Sequence, residues 1–337
     1  MLQQLGAARV PSTNLTYESK WKMFQAFCEL RGADPFQATS AVIADFLVHV
    51  AQTKKASVST LAGYRSAIGN VLRLTTGLDP GSDLVLAQLM RSFRRTRPIP
   101  CRRIPEWDVG LVLEVLCSQE ANDVSFDLRL FTAKVVFLVA LASGDRSCAI
   151  AALRFPPRFS STELTIDFIT GFVPKSYFVK RNLSRIAPLV LRKSPEVALQ
   201  QVCPYRAVQS YCDRVAHLRK PSQDSLFIPH NLSKIHNIKT QAIARYITTL
   251  ITWCYEKREL TVPKARAHDV RKVATSMREL SATALTDVLS AGNWATPHMF
   301  FKHYQTTIGE SQQHSLAQFE GLQVAKSPFS LQSGDKK

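Results

Sequence analysis

An imidazole, a guanidinium, an indole and a phenol follow one another in the last third of the chain: His268, Arg271, Trp294 and Tyr304. His268 and Arg271 are three residues apart, so on a helix they share a face. Thr296-Pro297 reads as a helix start, with Thr as N-cap and Pro at the first helical position. The helix it opens carries Phe300 and Tyr304 one turn apart. An arginine holds a phosphate bidentately, a histidine or tryptophan N–H donates a hydrogen bond, and a tyrosine can attack as nucleophile. This is a set for phosphodiester chemistry that needs no metal ion. Each residue alone has an ordinary reading: Trp294 in a core, Tyr304 and His303 on a surface, His268 capping a helix.

The elements that must position these groups can be read from periodicity. From Thr16 to Leu30, Trp21, Phe24, Phe27 and Cys28 form an apolar stripe at helical spacing. A second helix follows Thr39 or Ser40 as cap, with Val42, Ile43, Phe46, Leu47 and Val50. Ser59-Thr60 opens a third, and Leu84–Phe93 forms a fourth that ends in a basic run. Arg91, Arg94, Arg95, Arg97, Arg102 and Arg103 share that run with Pro98, Pro100 and Pro105, which stop helices and favour extended backbone. It reads as an interdomain linker: a solvated patch, a nuclear-localisation signal, or a strap on a phosphate backbone. Beyond it, Asp108–Cys117 and Leu128–Ala142 are helical, and the second is so apolar that it should be buried on all sides. Ser143-Gly144 breaks the pattern, and Ile150–Leu153 resumes a helix. Arg146, right after that break, is costly to bury unless it holds an anion or a carboxylate. Leu164, Ile166 and Phe168 alternate with polar residues as a strand does, and Ile186–Leu191 adds another. Helices return after Cys203-Pro204 and over Thr240–Tyr255, separated by a polar and basic stretch at Asn231–Thr240. Thr283–Ala291 is helical and ends at Gly292, a natural left-handed cap.

The ordered set resembles the C-terminal signature of tyrosine recombinases, the phage-integrase-like superfamily. Its H-x-x-R box falls at His268 and Arg271, its later Gly-His/Trp at Trp294, and its terminal nucleophile at Tyr304; Arg146 matches the Gly-x-Arg context of the family's first catalytic arginine. The Trp variant, its spacing to Tyr304 and the ending His303-Tyr304 look like the DIRS-type retrotransposon recombinases, as do Pro174-Lys175-Ser176, "CPYRAVQSYCDRV" and "LFIP". The resemblance implies that Lys175, with Lys180 as its rival, reaches the site from a β-hairpin turn. It implies a mainly α fold: a SAM-like four-helix core-binding domain, then an α-rich catalytic domain with a small antiparallel β-sheet, the DNA breaking-rejoining enzyme fold. "ADPFQATSAVIADFL" and "SVSTLAGYRSAIGNVL" carry the first part of it. The domains would be a tail at 1–12, the core-binding domain at 13–95, a linker at 96–106, the catalytic domain at 107–310 and a polar tail at 311–337. In the clamp on double-stranded DNA that the family forms, Lys55, Ser59, Tyr64, Arg65, Arg94, Arg95 and Arg97 are the expected DNA-contacting residues. The implied activity is site-specific recombination or integration of a mobile element through a covalent 3′-phosphotyrosine, in a homo-oligomer that reaches a tetramer at synapsis, with no metal, ATP or other cofactor. One departure stands out: the family commonly places an acid three residues after the first arginine, and here it is Ala149. That keeps open a DNA-binding relic without cleavage. A type IB topoisomerase, which shares the tyrosine chemistry, is a third reading, less suited to a four-helix N-terminal domain.

Composition agrees with a polyanion partner. The 337 residues are 45% hydrophobic, enough for two cores, and the formal net charge is +17, with a pI of about 9.8. No run reaches the ~18 apolar residues of a transmembrane helix, so no membrane association is expected. Residues 1–11 lack the basic and apolar regions of a signal peptide. Seven cysteines with no C-x-x-C pair read as reduced thiols in an intracellular protein, nuclear in a eukaryote and otherwise cytoplasmic. Zinc is not expected, since His298 and His303 are five apart, the wrong spacing for two ligands on one helical face.

Overall fold

In the computed structural model the chain divides into two compact units, Met1–Cys101 and Arg102–Lys337. The structure describes residues 11–97, 105–118, 127–174, 187–197 and 199–280.

The first unit is a bundle of four helices, α1 (Pro11–Glu29), α2 (Ser40–Thr53), α3 (Val58–Thr75) and α4 (Leu84–Thr96), with a short 3₁₀ turn at Pro35–Gln37. Local chemistry sets their starts. The Asp83 carboxylate accepts from the Leu86 N–H at 2.9 Å, and the Ser57 hydroxyl accepts from the Thr60 N–H at 3.2 Å. Each satisfies a backbone donor that a first turn would leave bare. Asp83 also accepts from the Ser40 hydroxyl at 2.6 Å, which ties the start of α2 to the start of α4. Ser57 therefore caps α3, two residues ahead of the expected Ser59, and α1 begins at Pro11 rather than Thr16. The apolar faces close on a core of Phe24, Phe46, Leu61, Ile68 and Met90, with Phe24 edge-on to Phe46 at 5.1 Å.

The second unit is built around one helix. After α5 (Val109–Cys117), capped by the Asp108 carboxylate, comes α6 (Leu128–Ser143). From Phe131 to Ser143 every residue of α6 is buried, as an all-round apolar helix requires. Packed on α6 are α8 (Pro204–Val215), α9 (Thr240–Lys257) and α10 (Ala267–Leu280). Gly144 ends α6 in the left-handed region, φ 64°, and its N–H closes the helix on the Ala140 carbonyl. A short helix, α7 (Ser147–Ala151), follows. It stops before Leu153, where the sequence suggested it would continue, because Leu153 and Arg154 form β-bridges to Phe168 and Ser225.

The sheet has three antiparallel strands in the order β1 (Arg158–Phe159), β2 (Glu163–Ile166), β3 (Leu189–Arg192). Leu164 pairs with Leu191 and Ile166 with Leu189, which puts four apolar side chains on the core face. Glu163 and Arg192 pair outside, Nε to Oε1 at 3.0 Å. The alternation expected through Phe168 ends at Ile166; Phe168 turns to Leu153 and stacks on Phe172 at 5.1 Å. The fold is thus mainly helical with a small antiparallel sheet. Among the described residues no helix is long and apolar enough to cross a membrane.

Candidate active site

The site forms where α6 ends. Arg271, one turn into α10, is 2% exposed, and its Nη1 donates to the Gly144 carbonyl at 2.6 Å. Arg146 leaves that corner two residues later in extended backbone (φ −76°, ψ 150°), half-buried. Its side chain has no hydrogen-bond or ion-pair partner among the described residues. His268 lies one turn before Arg271 on α10 and is solvent-exposed as a residue. Partial burial holds its pKa below the ordinary 6.5, and the charges of Arg271, Lys272 and Arg146 push the same way. Asp269 opposes them, but it is itself paired with Lys272 at 3.2 Å. The structure therefore brings Arg146, His268 and Arg271 together. It gives one wall of the site two guanidiniums and a neutral imidazole, which is an anion-binding arrangement with a proton acceptor beside it.

Lys175, Trp294 and Tyr304 lie outside the described residues, as does Lys180. Ala149 sits in α7, 7% exposed. Of the four described tyrosines of the second unit, three hold hydrogen bonds elsewhere, and the fourth, Tyr246, is buried on the wall of a basic cleft. Tyr205 donates to the Ser160 carbonyl, the Tyr211 hydroxyl accepts from the Ile228 N–H, and the Tyr255 hydroxyl accepts from the Asp108 N–H. Burial pushes the Tyr246 phenol up to about 12, and Tyr211 and Tyr255 upward as well. A raised pKa disfavours the phenolate of Tyr211, Tyr246 and Tyr255.

The expected DNA contacts of the first unit divide. Lys55 and Ser59 are exposed around the start of α3, Arg65 is half-buried, and Arg94 and Arg95 are exposed on the last turn of α4. Tyr64 is different: its ring is 6% exposed, edge-on to Phe46, and its hydroxyl donates to Met23 Sδ. A core ring cannot also face a phosphate, so Tyr64 is a packing residue. Arg97 is corrected too. Its guanidinium donates to the Ala51 carbonyl at 2.9 Å and to the Ala56 carbonyl at 2.8 Å, and covers the Phe93 ring. It closes the C-terminal end of α2, with one N–H of each terminal nitrogen spent on a carbonyl.

One basic feature escaped the sequence reading. A cleft of about 310 Å³ is lined by Arg129, Lys234, Lys239, Arg245, His230 and His236, among others. None of its four Lys and Arg side chains has an ion-pair partner among the described residues. The signal available was the polar and basic stretch before α9, but Arg129 is more than a hundred residues away and only the fold adds it. No cluster of three His, Cys, Asp or Glu side chains able to hold a metal ion occurs among the described residues.

No protein-family model and no curated protein matches the sequence. Solved structures do match the fold. The integrase of the Tn1549 transposon in complex with transposon right-end DNA aligns at TM-score 0.60 and 12% identity, over 92% of this chain and 94% of that one. A lambda integrase dimer bound to a COC′ core site aligns at 0.56 and 11%, over 92% and 94%. XerH site-specific recombinase bound to difH in a pre-cleavage complex aligns at 0.54 and 14%, over 90% and 78%. The chain thus has the fold of these integrases and recombinases, mainly helical with a small antiparallel sheet.

Proposed function

We propose that the protein is a site-specific DNA recombinase or integrase that cuts and rejoins double-stranded DNA through a 3′-phosphotyrosine. The observation that carries this reading is the corner itself. Arg146, half-buried with no carboxylate among the described residues, stands with buried Arg271 and a histidine disfavoured as a cation. A protein does not bring two guanidiniums together in a partly desolvated site without an anion to offset the cost. The likeness of the fold to integrases and recombinases solved on DNA supports a DNA phosphate as that anion.

In the proposed reaction, Tyr304 Oη attacks the scissile phosphorus while His268, neutral near pH 7, accepts the phenolic proton. The bond to the 5′-oxygen breaks, and Lys175 supplies the proton that this leaving oxygen takes up. Arg146 and Arg271 balance the charge that grows on the non-bridging oxygens, and the Trp294 Nε1–H adds a donor. The ester keeps the energy of the phosphodiester, so a 5′-hydroxyl from another strand can reverse the attack. The hydrogen bonds of Tyr205, Tyr211 and Tyr255 and the burial of Tyr246 speak against them as nucleophile, and the family signature falls on Tyr304. The cleft beside α9 and the exposed Arg94 and Arg95 supply phosphate contacts away from the chemistry. The DIRS-like motifs extend the proposal to a mobile element of that type, acting as a homo-oligomer, in the nucleus of a eukaryote and otherwise in the cytoplasm.

Ala149 favours one other reading, a DNA-binding relic. The test is a suicide DNA substrate nicked beside the cleavage site, so that the 5′-hydroxyl fragment diffuses away. A denaturant-resistant protein–DNA band supports strand transfer. Its absence on every cognate end, with binding intact, establishes the relic. Nicking and relaxation without exchange between two sites would make the protein a topoisomerase.

A further inference from the structure

We propose that Gly144 is a positioning residue that sets both arginines of the anion site; this rests on the strand-transfer reading above. Three features of one turn point to it. The backbone of Gly144 is left-handed (φ 64°, ψ 17°), a conformation that side-chain-bearing L-residues rarely adopt. That turn directs its carbonyl at Arg271, 127 residues away, whose Nη1 it holds at 2.6 Å in a buried contact. The chain then leaves the same turn extended and delivers Arg146 two residues on. The Ser143 hydroxyl pins the turn from inside by accepting from the Asp145 N–H at 3.1 Å.

The consequence is geometric. Arg271 is 2% exposed, and the buried hydrogen bond from its Nη1 to Gly144 restrains the orientation of its planar fork. Arg146 has no such tether, so its position follows from the backbone that Gly144 launches. One residue thereby fixes the separation of two charges that must meet the non-bridging oxygens of a single phosphate. An L-residue with a bulky or unsuited side chain would leave the left-handed well, turn the carbonyl away from Arg271 and swing Arg146 with it.

The experiment compares Gly144→Ala with Gly144→Asn, because asparagine tolerates the left-handed region better than alanine. Covalent adduct formation on suicide DNA is measured in single turnover, alongside non-covalent DNA affinity, thermal midpoint and the ¹⁵N guanidinium spectrum of Arg271, assigned with Arg271→Lys. Gly144→Ala is expected to slow adduct formation roughly hundredfold, the size of a misplaced catalytic group, with DNA affinity nearly unchanged. Its Arg271 Nη signals should lose the slow rotation that the hydrogen bond imposes. Gly144→Asn should recover most of the rate and the slow rotation. Equal rates for wild type and Gly144→Ala overturn the proposal, and so does an Arg271 spectrum that Gly144→Ala leaves unchanged. If Gly144→Ala does not fold, Ser143→Ala decides: it loosens the turn with the glycine in place, and an unchanged cleavage rate counts against the idea. If wild type forms no adduct, the strand-transfer reading fails, and the Arg271 spectrum still tests whether Gly144 holds the guanidinium.

Discussion

His268 faces more positive than negative charge: Arg271, Lys272 and Arg146 against Asp269. Its folded-state pKa is below the unfolded 6.5, so between those two values the unfolded chain binds more protons. Stability linked to His268 is therefore present above about pH 6.5 and is lost as pH falls toward the folded value. Lys272→Met removes a cation and unmasks the buried Asp269 carboxylate, so an NMR titration of the imidazole should show its midpoint rise. An unmoved midpoint would mean that Lys272 does not act on His268. Lys134 is a second residue whose charge the fold opposes. It lies in the buried middle of α6, 2% exposed, with Nζ donating to the Leu116 carbonyl at the end of α5. Burial lowers its pKa to about 8, against 10.5 in the unfolded chain. Protons are then bound preferentially by the unfolded state between those values, so this group's destabilising effect fades as pH rises from 8 to above 10. Lys134→Met should be more stable than wild type near neutral pH, by up to roughly 3 kcal/mol less the lost hydrogen bond. That difference should shrink by pH 10.5 in denaturant titrations. A difference that stays constant with pH would contradict the buried charge.

The end of α4 shows how neighbouring arginines of one basic run come to do different things. Arg94 and Arg95 point outward from its last turn, whereas Arg97 folds back on the carbonyls of Ala51 and Ala56. Arg94→Ala with Arg95→Ala should flatten the dependence of DNA affinity on salt, by about one unit of log–log slope for each phosphate no longer neutralised. Lys239→Ala and Arg245→Ala in the cleft should do the same. Arg97→Ala should instead lower the thermal midpoint of the first unit, because buried carbonyls at a helix end lose their donor, and it should leave the slope alone. A slope change with no loss of stability would return Arg97 to the DNA interface. A sequence cannot make this distinction, since composition records a charge and only the fold shows whether a carbonyl is within its reach. Periodicity did reveal the helices themselves: the stripes of α1 and α2, the apolar α6 and the basic-then-apolar approach to α9 are visible as patterns. Their ends were less visible. Ser57 rather than Ser59 caps α3, and α7 stops early because Leu153 and Arg154 pair with residues far along the chain. In the candidate site, spacing put His268 and Arg271 on one helical face, and a family resemblance singled out Arg146. The carbonyl of Gly144 was not, because every residue has one and only a left-handed turn points this one at Arg271.

At the scale of the whole molecule, a chain of net charge +17 with two compact units gathers two arginines and a histidine in a corner where the buried α6 ends. The charge predicts affinity for any nucleic acid; the corner predicts chemistry at one phosphate. Binding alone therefore cannot test the account, since a relic with Ala149 would bind as well. The decisive measurement is the identity of the residue that carries DNA after reaction with a nicked suicide substrate, read by protease digestion and mass spectrometry of the adduct. The account predicts a nucleotide esterified through its 3′-phosphate to Tyr304, with none formed by Tyr304→Phe although that variant still binds DNA. An adduct on Tyr177, or an undiminished yield from Tyr304→Phe, would contradict it.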